Sequence, residues 1–189
     1  MANDLDVLVI CGSLRKGSYN AALARTLPGL APAAMKLRTA PPFDTIPHYN
    51  FDTQNSTGFP AEVTAFADAI RSADAVIIVS PEYNWTIPGA LKNAIDWVSR
   101  MKDQPFKDKP VALQSCAGGV LGGARMQYHL RQSLTSIDAI LFGRPEILVT
   151  FAATKFDEKT LELKDQPTID IVKQQLAAFE KFIRLVSGK

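Results

Sequence analysis

The chain is poor in the residues that hold metals and disulfides: its 189 residues include two cysteines and two histidines. Cys11 and Cys116 lie in apolar or glycine-rich stretches with no histidine at metal-ligand spacing. They read as small buried residues near strand ends, and neither a metal site nor a disulfide is expected. His48, in a proline-rich stretch, and His129, in a polar helical one, are not expected to be ligands either. Long apolar runs are missing too; none approaches the roughly 18 residues of a membrane-spanning helix. The opening MANDLDVLVICG carries two aspartates and no basic segment, so a cytoplasmic location is expected and no membrane partner. Charge of one sign is likewise absent: 21 basic and 19 acidic residues give +2, spread without a block, which leaves no electrostatic case for nucleic acid. No repeat or linker divides the chain. Finally, neither G-x-G-x-x-G nor G-x-x-x-x-G-K-[ST] occurs, which argues against dinucleotide binding or ATP binding through those loops.

What is present suits one globular domain, residues 1–189, with a sizeable core, since 47% of the residues are hydrophobic and 21% charged. Strand and helix patterns alternate about five times. Strands are expected at about Asp6 to Cys11, Met35 to Thr39, Ala75 to Ser80 and Pro110 to Ser115. A fifth strand region is expected from Ala139 to Phe142 and Glu146 to Thr150. The run Ala75-Val76-Ile77-Ile78-Val79 is apolar throughout, as in a parallel strand buried on both faces. Helices are expected from Ser18 to Leu27, closed by Pro28-Gly29, from Pro60 onward, from Pro88 to near Met101, from Ala124 to Ser136, and from Thr168 to Val186. Between the second strand and second helix, Ala40 to Gly58 is so rich in turn residues that a long connection is expected there, not a helix. Connections of that length inside a domain usually serve or cover a site. Its Tyr49 and Phe51 read equally as surface anchors. The polar stretch Ala153 to Gln166 is expected to be a loop. This alternation implies an α/β fold, a parallel sheet with helices on both faces and ligands outside the strands' carboxyl ends.

Three loops fall on that edge. The first, Gly12 to Asn20 (GSLRKGSYN), joins a strand to a helix and so gathers free N–H groups, small hydroxyls and the positive end of a helix dipole. That combination favours a phosphate, to which Ser13, Ser18 and Asn20 can donate hydrogen bonds and Arg15 a charged fork. A turn of this composition is also often a plain connection. The second, Pro81 to Pro88, holds Tyr83 and Trp85 among amide groups, a composition suited to a flat heteroaromatic ring. The third, Cys116 to Gly123, has four glycines in eight residues, which suits backbone lying close to a flat ligand or a partner, or simple flexibility.

Taken together, GSLRKGSYN and PEYNWTIPGALKNAIDW, with GGARMQYHLRQSL after the third loop, resemble the NADPH-dependent FMN reductase family, and within it the bacterial quinone reductases also described as chromate reductases. The likeness runs over nearly the whole chain. It implies a flavodoxin-like three-layer sandwich with a five-stranded parallel sheet in the order 2-1-3-4-5, bound FMN, and NADPH or NADH as co-substrate. By match to the family's motifs, Ser13, Arg15, Ser18, Tyr19 and Asn20 form the phosphate loop, and Pro81, Glu82, Tyr83, Asn84 and Trp85 the loop against the isoalloxazine. Ser115, Ala117 and Gly118 lie near the ring and ribityl chain. Trp85 departs from the family, where tyrosine is common, and so bears on substrate fit. The resemblance also implies ping-pong transfer of two electrons to small-molecule acceptors: quinones, flavins, azo or nitro compounds, or chromate. No protein acid, base or nucleophile is assigned. Homodimers or homotetramers are implied, with Arg125, Tyr128 and Glu146 as candidate contacts. The alternative is a flavodoxin-type electron carrier without NAD(P)H turnover; carriers of that type tend to be acidic, whereas this chain has a pI of about 8.5.

Overall fold

The runs of β-branched and apolar residues form the centre of the molecule. The computed structural model describes residues 4–188. Strands β1 (Leu5–Cys11), β2 (Met35–Thr39), β3 (Ala75–Val79), β4 (Pro110–Cys116), β5 (Ile140–Leu141) and β6 (Ile147–Val149) build one sheet in the order β2-β1-β3-β4-β5. Every pairing is parallel, with Val7 opposite Ala75 and Ile77 opposite Ala112. The expected fifth strand is two short pieces: β5 pairs with the start of β4 and β6 with its end. Between them lies Arg144-Pro145, a cis peptide, and a proline donates no ladder hydrogen bond.

Side chains along each strand alternate between two apolar layers, so both faces need cover. Leu8, Ile10, Val76 and Ile78 pack against α3 (Ala61–Ser72), α4 (Gly89–Val98) and α5 (Ala124–Thr135). Val7, Val9, Ile77 and Val79 pack against α1 (Tyr19–Leu30) and α6 (Gln166–Ser187). The α6 stripe Val172, Leu176, Phe179 and Ile183 is fully buried, as its 3,4 spacing requires. This is the flavodoxin-like sandwich expected.

Four expectations need correction. Pro28 does not close α1 but lies inside it, and the helix runs to Leu30 with Ala31 as C-cap. Near a helix end the missing proline N–H removes one bond without ending the apolar packing of Leu23 and Leu27. The connection Ala40 to Gly58 does contain a helix, α2 (Phe51–Thr57), capped by the Asn50 side chain on Asp52 N–H at 2.8 Å. No residue of α2 is buried, so no apolar stripe marked it. Helix α4 stops at Val98 instead of Met101. The polar stretch after residue 152 opens with a short 3-10 turn, Ala152–Thr154, and carries a Phe156–Leu163 bridge.

The long connection is strapped to α4, where Phe43 and Ile46 enter the core. Asn93 donates to Pro47 O at 2.9 Å and accepts from Tyr49 N–H at 2.8 Å, while the Trp97 indole N–H donates to Pro47 O at 2.8 Å. Tyr49 stands edge-on to Trp97 with ring centres 5.1 Å apart, and Phe51 is exposed. Tyr49 is therefore an anchor of this strap.

Candidate functional site

The carboxyl ends of β1, β3 and β4 bring the three loops side by side. The first loop leaves β1 at Gly12, whose N–H donates to Val79 O at 2.9 Å. A Cβ at Gly12 would stand 2.4 Å from the Ser80 hydroxyl, so only glycine lets the chain turn here against β3. From Ser13 to Gly17 no backbone N–H has a hydrogen-bond partner among the described residues. Ser18 is the N-cap of α1: its hydroxyl accepts from Asn20 N–H at 3.2 Å and Ala21 N–H at 3.4 Å. Leu14, Arg15, Lys16 and Gly17 are exposed, and Arg15 has no ion pair among the described residues. A row of unpaired N–H groups, the Ser13 hydroxyl and a free guanidinium at a helix N-terminus form a donor set without an acceptor, which fits a phosphate group.

Asn20 does something else. Its side chain is buried, accepts from Cys116 N–H at 2.8 Å and donates to Cys116 O at 3.0 Å. It ties the start of α1 to the end of β4, and one N–H of its amide remains without a partner among the described residues. Tyr19 packs its ring against Phe156 at 5.2 Å.

In the second loop Pro81 is buried and Glu82 half-buried, while Tyr83, Asn84 and Trp85 are exposed. Tyr83 and Thr86 exchange both main-chain bonds, 3.1 and 2.9 Å, around Asn84 and Trp85 with φ of 48° and 67°. This is a two-residue hairpin with both central residues left-handed, a backbone that ordinarily selects glycine. Helix α5 holds it: Glu82 accepts from Met126 N–H at 3.1 Å and lies 3.7 Å from Arg125, and His129 Nδ1 lies 2.8 Å from the Thr86 hydroxyl. The Arg125 guanidinium sits over the Trp85 ring, 4.2 Å from its centre.

In the third loop Gly118 and Gly119 are exposed, and a Cβ on either would meet nothing within 4 Å, so the backbone there forms an open shelf. Ala117 N–H and Ala152 N–H join this loop to the end of β6 through Val149 O and Ala117 O, both at 3.0 Å. Ser115 lies fully buried beneath it, donating to Gly122 O at 2.6 Å and accepting from Gln127 at 2.9 Å. It shapes the loop from below. Gly122 and Gly123 have positive φ, and a Cβ on Gly123 would strike Ser115 at 2.7 Å. Burial pushes the thiols of Cys11 and Cys116 up, which keeps them neutral. Among the described residues no cluster could hold a metal ion, and no helix is long and apolar enough to cross a membrane.

Sequence reasoning located all three loops but missed the grip of α5 on the second. Its members, Glu82, Arg125, Met126 and His129, are some 40 residues apart in sequence and share no periodicity that would reveal it. Two of the three candidate intersubunit residues are engaged within the chain: Arg125 as above, and Glu146 with Arg131 at 3.5 Å. Tyr128 is exposed.

A parallel sheet of this order, with a phosphate-suited loop after β1 and exposed aromatic and glycine-rich loops after β3 and β4, defines a flavodoxin-like flavin-binding protein. Comparison with known proteins carries this further: residues 5–154 match the NADPH-dependent FMN reductase family, and the chain belongs to it. It is 50% identical over 186 residues to a quinone reductase of Escherichia coli strain K12, covering 98% of this chain and 99% of that one. With an NAD(P)H-dependent FMN reductase of Pseudomonas aeruginosa it shares 42% identity over the full length of both. Among solved structures, a flavoenzyme NAD(P)H:(acceptor) oxidoreductase from Paracoccus denitrificans superposes with a TM-score of 0.84 at 32% identity, covering 95% of this chain and 97% of that one. The chain is an oxidoreductase that uses FMN and NAD(P)H.

Proposed function

We propose that the protein is an NAD(P)H:quinone oxidoreductase in which the nicotinamide cofactor and the acceptor occupy one open pocket in turn, a ping-pong scheme. The observation that carries this reading is that Tyr83 and Trp85 of the second loop and Gly118 and Gly119 of the third are all exposed in loops that leave the carboxyl ends of neighbouring strands. Bound there, FMN supplies the two-electron oxidation and reduction chemistry. The protein's part is to hold and orient. The unpaired N–H groups of Ser13 to Gly17 and the Arg15 guanidinium hold the phosphate end, assisted by the Ser13 and Ser18 hydroxyls. Main-chain groups of Pro81 to Trp85, together with Ala117 and Gly118, would hold the ring. Asn20, Ser115 and Tyr19, which the motif match also assigns to the site, keep the loops in place through Cys116, Gly122 and Phe156.

Because two different molecules must enter and leave, exposure of Tyr83 and Trp85 is a requirement of the scheme, and wide acceptor tolerance follows from it. Quinones are the first class, supported by the similarity to the Escherichia coli quinone reductase. Flavins, azo or nitro compounds and chromate are further candidates. Assembly as a homodimer or homotetramer belongs to the same reading. Tyr128 is the candidate contact that makes no hydrogen bond among the described residues, and sedimentation velocity at micromolar concentration tests it.

The decisive experiment is an absorbance spectrum of the FMN-loaded protein during anaerobic addition of NADPH and then of a benzoquinone. Bleaching of the flavin band and its return on quinone addition are expected. A band that withstands both NADPH and NADH would instead indicate an electron carrier.

A further inference from the structure

Away from the second and third loops, a groove of about 460 Å³ runs along the β2 edge of the sheet, between that strand and α1, within the size range of small-molecule sites. Val9 and Cys11 of β1 and Leu37 of β2 make its floor. Its wall is the face of α1 that carries Ala21, Ala24, Arg25 and Pro28, one stripe at helical spacing. The large apolar side chains of α1, Leu23 and Leu27, lie on the neighbouring stripe and are fully buried in the core. No strand flanks β2 on its outer side among the described residues, so the sheet itself does not close the groove.

The lining has charge of one sign only. It is mostly apolar, includes no acidic residue, and is bordered by two arginines. Arg38 is occupied: its guanidinium donates to Asp6 at 2.9 Å and to Ala69 O at 2.8 Å. Arg25 is exposed, and its side chain has neither an ion pair nor a hydrogen bond among the described residues. Burial raises the Cys11 thiol and the Arg25 charge acts in the opposite direction, so the guanidinium is felt at the floor of the groove. None of the lining residues belongs to the set assigned to the flavin.

We propose that this groove is a second small-molecule site, which takes an apolar carboxylate: the acid group pairs with the Arg25 guanidinium and the hydrocarbon body lies over Val9 and Leu37. A guanidinium presents a planar fork that matches a carboxylate, and an apolar hollow beside it rewards a hydrocarbon body over a small hydrophilic anion. The site stands independently of the oxidoreductase reading.

The test uses the FMN-loaded protein with decanoate, with decanol as the uncharged chain of equal length and with naphthoate as a flat acid. Cys11, half-buried in the floor, is the reporter, and Cys116, 3% exposed, is the internal control. The rate of Cys11 alkylation by N-ethylmaleimide is followed by peptide mass spectrometry. Decanoate is expected to slow it at lower concentrations than decanol does. Arg25→Gln should raise the decanoate concentration needed by about tenfold, the value of one charge-assisted contact, and leave that of decanol unchanged. Protection is compared within each variant, because the substitution itself alters the thiol. Calorimetric titration with decanoate gives a readout that does not involve Cys11, and there Ala24→Leu, which fills the groove, should abolish binding; retained FMN absorbance reports an intact fold. Protection by either acid supports the site, and the one that acts at lower concentration assigns the body as a chain or a flat ring. No protection by either acid, equal protection by decanol in the parent, or parent-like binding of decanoate by Arg25→Gln would overturn the proposal.

Discussion

The Asn20 side chain clasps the main chain of Cys116, accepting from its N–H at 2.8 Å and donating to its carbonyl at 3.0 Å. Two residues 96 positions apart are thereby joined where the first and third loops leave the sheet. Both groups of Cys116 are buried, so Asn20→Ala leaves them unpaired. A loss of about 2 kcal/mol is expected in urea denaturation, from the cost of unsatisfied buried polar groups. FMN affinity should fall as well, because two loops lose their common anchor. A variant within 0.5 kcal/mol of the parent, as a rough limit of measurement, would show that the clasp adds no stability.

Arg15 gives the opposite result. It is exposed and has no ion pair among the described residues, so Arg15→Ala should leave the melting temperature nearly unchanged. FMN binding should weaken about tenfold or more, the value of one charge-assisted phosphate contact. Fluorescence titration of the apoprotein with FMN measures it. Unchanged affinity would mean that the guanidinium points away from the phosphate.

Gly12→Ala tests close approach. The new methyl would meet Ser80 Oγ at 2.4 Å, Ser80 Cβ at 2.8 Å and Leu91 at 3.0 Å. Overpacking of this kind costs about 1–3 kcal/mol. In a chain of this size that lowers the melting temperature by about 2–4 °C for each kcal/mol, which calorimetry resolves. A melting temperature equal to the parent's would mean that β1 and β3 separate without penalty.

Acid stability should depend on the start of α6. Asp165 is held below the usual carboxylate value, first by the Thr168 hydroxyl at 2.6 Å and next by Lys155 at 2.9 Å. Asp157 is lowered chiefly by its bond from Lys164, then by the N–H groups of Thr160 and Lys159. A lowered folded-state value means that the stability is fully present above the unfolded value, near pH 4, and is lost as pH falls through the folded one. Asp165→Asn, which can still cap the helix, should therefore melt below the parent at pH 7 and converge with it in strong acid. Melting curves from pH 7 down to about pH 2 follow the gap. A gap that stays constant would assign the effect to something other than ionisation.

The legibility of this chain in its sequence follows the kind of signal each element leaves. The buried strands and α6 were readable because burial on one or two faces imposes an apolar period. The three loops were readable because glycine and proline mark sharp changes of direction. Helix α2 was not, since Asn50 caps a seven-residue segment that buries nothing. Pro28 misled because it costs the helix one hydrogen bond while Leu23 and Leu27 keep their apolar packing. Within the site, Asn20 and Ser115 have the composition of ligand donors, and only their partners, Cys116 and Gly122, reveal that they brace the loops.

The Asn84-Trp85 turn also sets stability against purpose. Two-residue hairpins of this shape favour Asn-Gly, and a bulky residue in the second place carries strain of about 1 kcal/mol or more. A library randomised at position 85 and selected for heat resistance alone should drift towards glycine, whereas one selected for growth on a toxic quinone should retain an aromatic ring. The two selections would pull one codon in different directions, and the frequency of tryptophan after each would measure what the exposed ring is worth to the cell.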